Sequence, residues 1–148
     1  MAKRTERGSF VYAEMYQSEA FWALGGTAPQ LLMAFLDKRQ FYKSNQRRDN
    51  GNYVCTNSDD ITMTYSELEA KYGLTIPRAA RAFDELLAKG FIEIKHTGGA
   101  YRQDKRIYAL SEKWRLWTPG TVFSERPKDL KRGFQGQGKG AVKKKDTT

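Results

Sequence analysis

Residues 61–110 read ITMTYSELEAKYGLTIPRAARAFDELLAKGFIEIKHTGGAYRQDKRIYAL, and the order of elements in this stretch decides the fold. Residues 61–63 suit a short strand. Thr64-Tyr65-Ser66-Glu67 is a capping box, in which the threonine oxygen accepts one backbone N–H while the glutamate reaches back to another. The helix it opens covers about residues 65–72, Gly73 stops it, and Leu74 enters the core at the turn. Thr75 caps a second helix with Pro77 in its first turn, running to Lys89 and ending at Gly90, which suits the left-handed C′ position. Residues 91–97 and 105–110 then read as two strands around the tip GGAYRQD. Alternation sends Phe91 to one side with Glu93 and Lys95. Ile92 and Ile94 go to the other side, with Tyr108 and Leu110 on the partner strand.

Upstream, SFVYAEMY alternates weakly and reads as a short strand or extended arm packed on the body. Ser18 caps a short helix through Phe21, Trp22 and Leu24, which Gly25-Gly26 ends. Thr27 caps a longer helix with Pro29 in its first turn. Leu31, Leu32, Phe35 and Leu36 recur on it at helical spacing, with Tyr42 further along, so it forms the floor of the domain. Residues 43–60 (KSNQRRDNGNYVCTNSDD) read as a loop holding a brief strand at 53–56, with Asn50-Gly51 as its turn signal. After Ser111, Trp114 and Trp117 lay a short helix back on the core. The expected fold class is α+β, mainly helical: a winged helix-turn-helix, with a three-helix core and a β-hairpin wing. Residues 1–8 form a flexible basic N-terminus, 9–118 the domain, and 119–148 a disordered basic Gly/Lys-rich tail.

The chain has 148 residues, enough for one domain with a proper core. It is 39% hydrophobic and carries 8 Phe, 8 Tyr and 3 Trp, so it can fold without disulfides or metals. Cys55 is the lone cysteine, and no Cys/His set has zinc-ligand spacing, which points to a reduced, cytoplasmic compartment. No apolar run approaches a membrane span, and MAKRTERGSF lacks the apolar stretch of a signal peptide. The net charge of +9 has to be located before it is used. Residues 119–148 hold +5 and residues 1–8 hold +2, which leaves +2 for residues 9–118. Affinity for a polyanion in the folded part must therefore come from the placement of charges, not from their sum.

On the helix from Thr75 to Lys89, Ala79, Phe83, Leu86 and Leu87 fit one apolar stripe. Arg78 and Arg81 share the opposite face, flanked by Ile76, Pro77 and Ala80. Arginine's planar fork can grip guanine bidentately or hold a phosphate, and the N-terminal end of such a helix points at base edges. Asp84 and Glu85 would repel phosphate, so contact should fade after Arg81. The plain alternative is a solvated basic face. Around Gly98-Gly99 the hairpin tip carries Lys95, Arg102, Lys105 and Arg106, which can reach phosphates or a minor groove, with Tyr101 packing on sugar. An ordinary soluble hairpin is the alternative there. The tail is either a nonspecific DNA-scanning element or a solubilising appendage.

His96 is the only histidine and reads as a structural or surface residue. Asp59 and Asp60, beside Asn57-Ser58, read as turn and strand-entry residues. No nucleophile–base or metal constellation is apparent, so no enzyme activity, cofactor or metal is expected.

LTIPRAARAFDELLAKGFIEI resembles the recognition-helix-and-wing signature of bacterial winged-helix proteins. With SFVYAEMYQSEAFWALGGTAPQLLMAFL before it and IYALSEKWRLW after it, the chain is similar to the N-terminal modules of plasmid and phage replication initiators over about residues 9–118. The resemblance implies double-stranded DNA binding, with contact roles for Pro77, Arg78 and Arg81 and wing roles for Arg102, Lys105 and Arg106. The expected function is a transcriptional regulator or replication-initiation-associated factor of a plasmid- or phage-like element. The expected partner is double-stranded DNA, with a homodimer as an option and with neither membrane nor small-molecule ligand. The alternatives are a winged-helix protein-interaction or assembly module, and RNA binding through the basic tails.

Overall fold

Val11 and Met15 are four residues apart and both pack on the core, and that helical spacing shapes the start of the fold. The computed structural model describes residues 10–43, 53–101 and 104–127, with backbone alone at positions 43 and 53. The first two elements are single helical turns, α1 at Ala13–Tyr16 and α2 at Glu19–Trp22. This corrects the extended reading of SFVYAEMY: a turn hydrogen-bonded to the Tyr12 carbonyl buries Met15, which an extended chain would not do. Ser18 links the two turns, accepting from the Phe21 N–H at 3.1 Å and donating to the Met15 carbonyl at 2.6 Å.

α3 spans Ala28–Asp37 and buries Leu31, Leu32, Phe35 and Leu36, as its spacing predicts. Thr27 sits at its N-cap without a side-chain capping bond. Its hydroxyl donates to the Arg78 carbonyl at 3.4 Å and ties the start of α3 to a later helix. The helix ends before Tyr42, contrary to the sequence reading. Asn57 explains the exit: its amide donates to the Lys38 carbonyl (2.9 Å) and its oxygen accepts the Gln40 N–H (2.7 Å), taking groups the helix would have used. The chain continues as β1 (Phe41–Lys43), antiparallel to β2 (Tyr53–Cys55), with Phe41 opposite Cys55. Tyr42 is exposed on β1. The Asn50-Gly51 turn and residues 1–9 lie outside the described residues.

The central stretch follows its pattern closely. β3 is Ile61–Thr62, α4 is Tyr65–Tyr72 and α5 is Ile76–Lys89. Thr64 accepts from the Glu67 N–H at 3.1 Å, while the Glu67 carboxylate turns away from the expected return bond to pair with Lys38 at 2.5 Å. Thr75 occupies the N-cap of α5 but makes no side-chain capping bond. Gly73 and Gly90 take the left-handed conformation at the two C-termini, with φ of 68° and 82°. After Gly90 the Phe91 N–H returns to the Leu86 carbonyl at 3.0 Å, so Phe91 belongs to the helix stop and not to the strand. It is buried, as is Ile92 beside it, which replaces the simple alternation expected there.

β4 (Ile92–His96) and β5 (Ile107–Leu110) are antiparallel, and β5 also pairs with β3, giving the order β3-β5-β4. The β4–β5 register slips between Ile94 and His96, so Lys95 lies in an irregular step. Among the described residues the molecule is thus α+β, with small antiparallel sheets, and no helix is long and apolar enough to cross a membrane.

Four aromatic rings from α3, α4, α5 and β5 meet at the centre. Phe83 stacks on Tyr108 with centroids 5.2 Å apart, and Phe35 and Tyr65 meet Phe83 edge-on at 6.0 and 5.8 Å. Such pairs add about 0.5–1.5 kcal/mol each beyond the area they bury. Burial pushes the Tyr108 hydroxyl above its ordinary pKa. A 3-10 helix at Lys113–Leu116 brings buried Trp114 onto Phe91, the rings stacked at 5.9 Å.

The chain then turns back. Gly120, with φ of 92°, follows Pro119 in a turn closed by Thr121 N–H on the Thr118 carbonyl (2.9 Å), and the Trp117 indole donates to the Thr121 carbonyl. Phe123 N–H donates to the Ala88 carbonyl at 2.9 Å, so residues 119–127 lie on the fold. The disordered tail expected from residue 119 is corrected over these nine positions, because apolar Phe123 and the turn anchor them. Residues 128–148 lie outside the described residues.

Candidate nucleic-acid interface

α5 presents two contrasting sides. Ala79, Ala82, Phe83, Leu86 and Leu87 are buried against the core. Thr75, Ile76, Pro77, Arg78 and Arg81 are exposed and Ala80 is half-buried, which brings the predicted helix residues together on its first two turns. Ile76 keeps 56% of its surface in solvent, a large share for an isoleucine. Among the described residues neither Arg78 nor Arg81 forms an ion pair. They line an open groove of about 770 Å³ between α5 and the Gly25–Thr27 turn, to which Gln30 also contributes.

The two acids one turn further along are neutralised. Glu85 pairs with Lys89 four residues on. Asp84 takes a two-point grip from Arg126, whose Nε lies 2.5 Å from Oδ1 and whose Nη2 lies 3.0 Å from Oδ2. Arg126 also donates to the Tyr65 hydroxyl at 3.4 Å, and the Asp84 carboxylate raises its pKa. Arg126 was not anticipated as a site residue. The Thr118-Pro119-Gly120-Thr121 turn signal and Phe123 were the sequence cues that the chain folds back here.

The β4–β5 hairpin has a different character. Tyr101 and Lys105 are exposed and line one shallow groove with His96 and Thr62. Lys95 is exposed but pairs with Glu93 at 3.3 Å. Arg106 is half-buried, and its Nε donates to the Thr97 carbonyl at 3.0 Å, so it closes the hairpin from within. Arg102 lies outside the described residues.

Asp104 organises the tip. One carboxylate oxygen lies 2.5 Å from His96 Nε2 and the other accepts the Ala100 N–H at 3.0 Å, while the Asp104 carbonyl accepts from Gly99. The His96 hydrogen bond, and after it the Ala100 N–H, hold the Asp104 carboxyl below its ordinary pKa. Gly98 has φ of 71°, and a Cβ there would lie 2.7 Å from the Arg106 nitrogen, so a side chain has no room. An aspartate in a glycine-rich turn was the available signal for this role.

His96 thus has a carboxylate partner, as a surface tip residue. Asp59 and Asp60 are exposed at the entry to β3. Among the described residues no group of three His, Cys, Asp or Glu side chains could hold a metal ion. Cys55 is a free, half-buried thiol beside Asn57. No protein-family model, curated protein or solved structure matches this chain.

Proposed function

We propose that the chain binds double-stranded DNA as a winged helix-turn-helix, with α5 as the recognition helix and the β4–β5 hairpin as the wing. One observation carries this reading: among the described residues Arg78 and Arg81 form no ion pair on the outward side of the first two turns of α5, while the acids of the following turn are each matched by a cation. A surface of that kind attracts a polyanion although the folded part has little net charge. Arg78 and Arg81 reach base edges or phosphates in the major groove, with Ile76, Pro77 and Ala80 against the groove wall. Lys105 and Tyr101 on the wing meet the flanking backbone, Lys95 adds charge, and Arg106 holds the wing's shape.

The biological role that fits the resemblance is a transcriptional regulator, or a replication-associated factor of a plasmid- or phage-like element, acting in the cytoplasm. Selection of bound sequences from random duplex DNA by the full chain tests the reading. A consensus that persists when Arg78 and Arg81 are both replaced by alanine would remove α5 from recognition. A palindromic consensus would indicate a homodimer.

A second reading is an assembly module. It draws on the exposed aromatic side chains of the N-terminal part, where Phe10, Tyr12, Trp22, Phe41 and Tyr42 each keep 46% or more of their surface in solvent. Absence of duplex binding at low salt, together with self-association, would favour it.

A further inference from the structure

Pro77, Arg81, Asp84 and Ala88 recur at helical spacing and form one outward stripe along α5. The first half of this stripe is open. The second half is crossed by the C-terminal arm, residues 119–127, through the Phe123 N–H on the Ala88 carbonyl and the Arg126 fork on Asp84. The fork is partly exposed, with 33% of the Arg126 side chain and 48% of Asp84 in solvent, and an ion pair at that exposure adds little to stability. Its effect on the electrostatics of the stripe is larger. Bare Asp84 would place a full negative charge three residues from Arg81, on the side that faces a duplex.

We infer that Arg126 is a positioning residue of the DNA-binding face, which cancels the charge of Asp84 and so makes the outward stripe of α5 acceptable to phosphate. The inference rests on the reading of α5 as a DNA-binding helix. It assigns the arm to the interface as a charge mask that also limits insertion to the first two turns of α5. Three of the five N–H donors of Arg126 are engaged, two on Asp84 and one on the Tyr65 hydroxyl, so its role in this arrangement runs through Asp84.

The test uses the full chain and a short duplex of mixed sequence, with affinity measured by fluorescence anisotropy at low salt. Arg126→Gln should weaken binding about threefold to tenfold, as expected for an unmasked unit charge near phosphates, and less so as salt rises. Asp84→Asn should bind at least as tightly as the parent. The double variant, neutral at both positions, should return to within about twofold of the parent, since the charge mask is then unnecessary. A double variant as weak as Arg126→Gln would overturn the inference, as would an Arg126→Gln chain that binds like the parent. If Arg126→Gln lowers the melting temperature, Asp84→Asn alone decides, and weaker binding by it would be fatal. A parent chain that binds no duplex refutes the DNA reading itself, and the inference falls with it. A binding parent whose affinity Arg126→Gln leaves unchanged refutes only the role of Arg126.

Discussion

Asp84 and Arg126, 42 residues apart in sequence, meet in a two-point ion pair on the outward side of α5. The pair divides that helix into an open basic half before it and a covered half beyond it. It also places the arm after Trp117 within the folded unit, one turn along α5 from the exposed Arg81.

Replacing both Arg78 and Arg81 by alanine should abolish preference for a selected site while leaving the fold intact, because both side chains are exposed and form no ion pair among the described residues. If each grips a guanine, the loss is about 1–3 kcal/mol per contact, which competition between the selected site and random duplex would read. Equal losses on all sequences would mean that the arginines meet phosphates only.

Phe83→Ala should destabilise the protein by about 3–5 kcal/mol, measured by urea denaturation. Phe83 is 1% exposed and its ring contacts those of Phe35, Tyr65 and Tyr108, so truncation leaves a void that four elements border. A cost under about 1 kcal/mol would show that the rings do not share one centre.

Gly90→Ala should cost more stability than Gly73→Ala, although both positions are left-handed. The conformation alone costs about 1–2 kcal/mol at either site. A Cβ on Gly73 meets nothing within 4 Å, whereas one on Gly90 would lie 2.7 Å from Lys113 Cβ and 2.8 Å from the Phe123 ring. Equal melting temperatures for the two variants would argue against the close packing of Lys113 and Phe123 on Gly90.

The hairpin tip should loosen in acid. The folded-state pKa of Asp104 is depressed, so its contribution is fully present above the unfolded value of 3.8 and is lost as pH falls through the lower folded value. Amide exchange at Gly99 and Ala100, compared at matched intrinsic rates, should therefore show protection falling below about pH 4. Asp104→Asn should remove that dependence, and a tip whose protection is level through this range would count against the contact.

Much of the central stretch was legible because its signals are local. Thr64 before an apolar-periodic run, Gly73 and Gly90 after two such runs, and Pro77 in a first turn each act on backbone within a few residues, whatever surrounds them. The opposition of Arg78 and Arg81 to Phe83 is likewise periodicity alone. The strands on either side of the Gly98-Gly99 tip followed from the same kind of reading, although the slip near Lys95 did not.

What was misread depends on partners distant in the chain. α3 stops at Asp37 because Asn57 takes the groups that would have extended it, and no pattern near Tyr42 signals that. Thr27 faces the Arg78 carbonyl, Glu67 faces Lys38, and Arg106 faces Thr97, so three polar side chains expected in local or binding roles are occupied elsewhere.

Local pattern was thus sufficient for where α4 and α5 begin and end, for the presence of the two hairpin strands though not their limits, and for which face of α5 is apolar. Helical spacing alone brings Glu85 to Lys89, but only the tertiary structure decided that Asp84 is paired, because its partner lies 42 residues away in sequence. Sequence places Arg81 and Asp84 on one outward stripe of α5 with opposite charges, and only the folding back of residues 119–127 shows that Asp84 is masked.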